Sequence, residues 1–155
     1  MVMAAAAAGS LVLGAAAASA QDGQLPFRAS FSGQVQFTGP TTTAFQGTGT
    51  ATHMGVITTN GAADVTGHDD STCAGGIANT HRETLTAANG DTLTLVSYDV
   101  ACPTGPFQFH GTGHWTITGG TGRFAASTGE GTLDGDSDFN AGTFNIDLSG
   151  SIALH

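Results

Sequence analysis

FQFHGTGHWTITGGTGRF, residues 107–124, is the stretch whose reading decides the fold. Phe107, Phe109, Gly111, Gly113, Trp115 and Ile117 alternate strictly with Gln108, His110, Thr112, His114 and Thr116. Beyond it, Gly129, Gly131 and Leu133 alternate with Glu130, Thr132 and Asp134, and Phe144, Ile146, Leu148, Ile152 and Leu154 continue the pattern toward the C-terminus. Successive side chains of a strand point to opposite faces, so period two over such a length predicts half-buried strands. Gly119, Gly120 and Gly122 then predict a hairpin, because a positive φ is cheap only for glycine. A phosphate cradle would need a Lys-Ser/Thr and a following helix, and neither is present. Arg123 is expected to pair with a carboxylate near the barrel rim rather than with a ligand.

Working outward, strand signals recur with turn punctuation between them. The first spans Pro26 to Phe37 and ends at Thr38-Gly39-Pro40; the second is read from Ala44 to about Thr58, with Phe45, Ala51, His53 and Ile57 on one face. A short strand near Ala62–Thr66 follows, then the loop Gly67–Gly76. Ile77–Ala87 and Asp91–Cys102 make a hairpin around Ala88-Asn89-Gly90. A two-residue turn there would set Leu85 against Thr94, whereas a three-residue loop pairs Leu85 with Leu93. Hydrophobic pattern sets register, so the longer loop is the expectation. Phe107–Thr118, Thr128–Ser137 and Thr143–Leu154 bring the count to about eight. No helical period appears after the N-terminal segment. The fold class read from this is all-β: a single antiparallel eight-stranded up-and-down barrel, preferred to a sandwich because of Gly47/Gly49, Gly111/Gly113 and Gly129/Gly131. Glycine on the inward face either leaves room in a lumen or lets backbones pack closely.

Residues 1–20 carry an apolar, Ala-rich centre and end in Ala18-Ser19-Ala20, the pattern of a secretory signal peptide, although no Lys or Arg precedes the apolar core. Residues 21–155 then form one domain in a secreted, periplasmic or extracellular setting, with no membrane insertion after cleavage. The chain has 3 Lys+Arg against 12 Asp+Glu, with a formal charge of −9. Such a surface repels phosphate backbones, so nucleic acid is not an expected partner. Cys73 and Cys102 are an even pair in an exported chain and are expected to form a disulfide. They lack Cys-x-x-Cys spacing, and no metal or other cofactor is expected.

Trp115-Thr-Ile-Thr-Gly-Gly-Thr-Gly-Arg-Phe-Ala-Ala-Ser-Thr-Gly-Glu-Gly131, with Thr52-His53-Met54-Gly55 upstream, resembles small exported bacterial proteins related to the allene oxide cyclase and dirigent β-barrels. Dirigent proteins carry a similar Gly-Gly-Thr-Gly-Lys/Arg-Phe turn followed by small residues. The likeness is specific over about twenty residues. It implies an eight-stranded, calycin-like barrel with a hydrophobic central cavity, often within a homo-oligomer. It carries no catalytic residue across, because the acidic and arginine positions of dirigent sites and the water-binding residues of the cyclases find no matching motif here.

The chosen hairpin register places Asn79, His81, Glu83 and Leu85 on the same face as Leu93, Leu95, Ser97 and Asp99. His81, Glu83 and Asp99 are therefore the candidate catalytic cluster, since a carboxylate in an apolar lumen is pushed toward neutrality and beside a histidine suits acid–base work. The bland alternative is a solvated mouth where these groups satisfy one another. His53 shares the phase of Phe45 and is expected to face inward. Candidate ligand-binding residues are Phe31, Phe45, His53, Leu93, Leu95, Phe109 and Trp115. His110 and His114 take the opposite phase and face solvent, and Asp134-Gly-Asp-Ser-Asp138 reads as a solvated acidic turn without the downstream Glu of an EF-hand. No Gly-x-Ser-x-Gly elbow supports nucleophilic hydrolysis. Three functions follow: an exported barrel binding a small hydrophobic molecule in its cavity, a cyclase or isomerase using His81, Glu83 or Asp99, or a cell-surface interaction protein with a packed barrel.

Overall fold

Alternation along the chain becomes eight antiparallel strands in the computed structural model, which describes residues 23–155. The segment read as a secretion signal lies outside the described residues. The strands are β1 (Gln24–Phe37), β2 (Thr42–Ala51), β3 (Gly55–His68), β4 (Ile77–Ala87), β5 (Thr92–Gly105), β6 (Gln108–Gly120), β7 (Thr128–Asp138) and β8 (Thr143–Ala153). They pair in chain order, and β8 returns to β1 with Ile146 opposite Phe31. Closure leaves no strand edge unpaired, and eight strands give an interior just wide enough for side chains to fill. This is the predicted up-and-down barrel. No helix among the described residues is long and apolar enough to cross a membrane.

The β4–β5 hairpin has the expected three-residue loop: Leu85 faces Leu93, and Gly90 takes φ +90°. The strand read from Ala44 to Thr58 is instead two strands. β2 stops at Ala51, the chain reverses through Thr52-His53-Met54, and Ala51 pairs with Gly55. The supposed short strand at 62–66 belongs to the long β3. At the glycine-rich turn only Gly122 has positive φ, +57°, while Gly119 and Gly120 still lie in β6. A register shift between Thr94 and Leu95 absorbs the extra residue there. A single 3₁₀ turn, Gly122–Phe124, then drops Phe124 into the interior, fully buried.

The inward glycines serve close packing. A Cβ on Gly49 would strike the Ser30 carbonyl of β1, and one on Gly131 the Ser149 carbonyl of β8. Each of these neighbouring strand pairs is drawn close there, and the lumen is packed at one end and open at the other. At the end bounded by the β2–β3, β4–β5 and β6–β7 connections, Phe27, Leu85, Leu93, Leu95, Phe124 and Ile152 are fully buried. Trp115 packs edge-on against Phe27 at 5.3 Å and donates its indole N–H to the Thr132 carbonyl at 3.0 Å. That hydrogen bond lets the largest side chain be buried without an unsatisfied donor. Met54 closes the same end.

Candidate functional site

The opposite end is open. A cavity of about 150 Å³ lies between the ends of β1, β3, β5 and β7 and the starts of β2, β4, β6 and β8. Its wall is mostly apolar, with Val35, Phe45, Val65, Phe109, Phe144 and Ile146 among the lining residues. Phe144 stands edge-on to Phe45 at 5.4 Å and to Phe31 at 6.2 Å. At the rim Phe37 stacks on Phe139 at 4.4 Å, and Phe139 meets Phe109 at 6.0 Å. The Cys73–Cys102 disulfide, with Cα atoms 6.0 Å apart, fastens the β3–β4 loop to β5 at this same end. In that loop the Asp69 carboxylate accepts from the backbone of Ser71 and Thr72, and hydrogen bonds from their hydroxyls hold it below the ordinary aspartate range.

One side of the cavity is polar, and β4 and β5 supply it. Asn79, His81 and Asp99 all line the cavity. The register sets His81 opposite Ser97, which makes Asp99 its diagonal neighbour, and the imidazole reaches across to it. His81 Nε2 lies 2.9 Å from Asp99 Oδ1, with side-chain exposures of 16% and 6%. Burial lowers the His81 pKa, but the hydrogen bond and charge of Asp99, with the charge of Glu83, outweigh it and leave a net rise. Asp99 Oδ2 takes part in no hydrogen bond among the described residues and faces the space beside Gly111, where a Cβ would sit against it.

Glu83 is not in the cavity wall. It follows His81 on the same face of β4 and lies beneath the floor, 2% exposed. Its Oε1 accepts a long hydrogen bond of 3.4 Å from the Ser97 hydroxyl. Burial pushes its carboxyl up to about 7, against opposing contributions from the His81 charge and the Ser97 hydroxyl. Such a carboxyl is half-protonated near neutrality. The arrangement therefore offers a paired imidazole and carboxylate at the cavity surface and a protonatable carboxyl below them.

The structure brings together His81, Glu83 and Asp99, and it puts Phe45 and Phe109 in the cavity wall. It separates the remaining candidates from the cavity. Phe31, Leu93, Leu95 and Trp115 are packed into the core, with exposures of 3%, 0%, 0% and 1%. Their inward phase was read correctly, but phase does not tell height along the barrel. His53 is a clear correction. It sits in the β2–β3 turn at φ +66°, with its ring Nε2 3.0 Å from the Pro26 carbonyl. Arg123 also departs from expectation: its guanidinium lies 4.9 Å over the Phe124 ring, and only its backbone N–H meets a carboxylate, that of Asp91. His110 does face outward and pairs with Asp136 at 2.9 Å, whose hydrogen bond raises its pKa. The Asp138 carboxylate accepts from the backbone N–H groups of Asn140 and Ala141, the geometry of an acidic turn.

Sequence reasoning missed Val35, Val65, Phe144, Ile146 and Phe139 as wall residues. The first four share the inward phase and lie near the same end of the barrel, a signal that becomes readable once closure fixes strand heights.

No protein-family model matches the sequence, and no curated protein matches it. Among solved structures, that of the pterocarpan synthase dirigent protein GePTS1 is similar. The two superpose with a TM-score of 0.54 at 14% identity, over 85% of this chain and 88% of that one. The fold is that of a dirigent-like β-barrel.

Proposed function

We propose that this protein is exported and binds a small apolar molecule in the open half of its barrel. The observation that carries the reading is the cavity itself: about 150 Å³ of space, walled by aliphatic and aromatic side chains and open at one end. Concave, mostly apolar sites with a few convergent polar groups are where small ligands bind, and a dry cavity of about 150 Å³ takes a benzene-sized body. Export is supported by the disulfide, because such bonds persist in oxidising compartments.

A second reading is supported by the 2.9 Å contact between His81 and Asp99 at the cavity surface. It makes the protein a catalyst of proton transfer in a bound hydrophobic substrate, in the manner of a cyclase or isomerase, as the cyclase side of the family resemblance suggests.

Indole and toluene are the probes for the first reading. Either at 100 times its Kd stabilises the protein by about 2.7 kcal/mol, which appears as a concentration-dependent rise in Tm. Phe144→Trp, which fills the cavity from the wall, should abolish that rise while leaving a folded protein. No rise with either probe, or an equal rise in the filled variant, would refute the reading.

A further inference from the structure

Three buried polar atoms on the inward faces of β3 and β4 have no hydrogen-bond partner among the described residues: Glu83 Oε2, His81 Nδ1 and Thr59 Oγ1. Buried polar groups are otherwise almost always paired, and each orphan costs the full desolvation of its group. Their placement follows from register. His81 and Glu83 are successive residues on one face of β4, and Glu83 pairs with Gly61 of β3, leaving Thr59 as its diagonal neighbour on the same inward face. The Phe45 ring lies over Gly61 and fills the place a side chain would take there, which keeps bulk solvent from these atoms. Glu83 and Thr59 are 2% and 3% exposed, so bulk solvent does not satisfy them.

We infer that these three atoms are the binding site for one ordered water, which joins Glu83 Oε2 to His81 Nδ1 and makes Glu83, His81 and Asp99 a continuous proton relay into the cavity. A water needs two to four polar partners, and the three atoms supply a carboxyl, an imidazole nitrogen and a hydroxyl. The far side of the relay is already formed, since His81 Nε2 hydrogen-bonds Asp99 Oδ1 and Asp99 Oδ2 faces the cavity beside Gly111. In the forward direction the Glu83 O–H bond breaks, the water accepts that proton and passes one of its own to His81 Nδ1. The imidazolium then gives its Nε2 proton to Asp99. One proton leaves Glu83 and one arrives at the cavity face, with total charge unchanged.

The titratable groups around Glu83 are His81 on its own strand and Asp99 on β5; β5 also presents Ser97 and Leu95, β3 presents Thr59, Gly61 and Ala63, and β2 presents Phe45. The carboxyl, poised near neutrality by burial, is able both to give and to take the proton. The relay gives purpose to the cavity reading and rests on it for that purpose, although the water site stands apart from it.

The test uses the disulfide-bonded protein with 15N-labelled histidine. Water-selective magnetisation transfer should show a long-lived water beside the carbon-bound His81 Hε1 proton, next to Nδ1, weakened in Thr59→Val; an Hε1 with no such water overturns the inference. The second arm follows the His81 15N shifts at pH 7 as cyclohexanol binds. In the wild type the imidazole should change its protonation as Glu83 does, and in Glu83→Gln its 15N shifts should stay in place. A change of the same size in Glu83→Gln would also overturn the relay. If cyclohexanol does not bind at all, the cavity reading fails, and the water signal alone decides the inference.

Discussion

The closed and open halves of the barrel are made of the same eight strands in the same inward phase, yet one is a core and the other a receptacle. The difference lies in what stands at each inward position. In the closed half the layers hold Phe27, Leu85, Leu93, Leu95, Trp115 and Ile152, and Phe124 enters from a connection to fill the axis. In the open half corresponding positions hold Ala63, Ala101, Gly111 and Gly135, together with His81 and Asp99. Small and polar side chains at one end withhold the volume and apolar contact that the other end supplies. Stability and binding are thereby assigned to different levels of one lumen, without separate domains.

The sharpest way to break this comparison is truncation on each side. Trp115→Ala removes the largest side chain of the closed half and should cost about 3–5 kcal/mol. Phe109→Ala acts on a half-buried rim residue and should cost roughly 1 kcal/mol. Urea unfolding of both variants checks the pair, and equal costs would mean that the two halves do not differ as described.

Opening the disulfide comes next. Changing Cys73 and Cys102 together to Ser frees a 29-residue separation, and the chain-entropy model gives about 3–4 kcal/mol for a loop of that size. Because the bond lies at the open end, hydrogen exchange should rise in the loop 69–76 and the end of β5 while the amides around Trp115 and Phe27 stay protected. Uniform loss of protection would count against independent halves.

Between the two halves lies Glu83. Burial pushes its folded carboxyl up to about 7, against 4.5 for an ordinary glutamate. The folded protein therefore holds the proton more tightly than the unfolded chain. The stability linked to this group is complete below pH 4.5, falls as pH rises, and is lost once pH passes 7. The full span is on the order of 3 kcal/mol at most. Glu83→Gln removes that dependence, so the variant should gain on the wild type steadily between pH 4.5 and 7 in Tm measurements.

How much of this was legible in the sequence depended on where turns carried chemical marks. Asn89-Gly90 and the matched Leu85 and Leu93 fixed one hairpin and with it the polar row of β4 and β5. Thr52-His53-Met54 carries no such mark. It is also three residues long, so Ala51 and Ile57 keep the same odd-numbered phase and the alternation runs through the reversal unbroken. His53 was drawn inward by that false continuity. The diagonal meeting of His81 with Asp99 needed side-chain reach as well as register, and the division of the lumen needed the strand offsets that only closure sets. The orphaned Thr59 hydroxyl had no sequence signal, since threonine is ordinary in strands.

Phe124 is held on a connection and not on a strand. The barrel wall would close without it, because all eight strand pairings are complete in its absence from any ladder. What the residue adds is a plug to an end already packed by Phe27, Leu85, Leu93, Leu95, Trp115 and Ile152. The molecule is a blind cup, and whatever enters its mouth must leave by it.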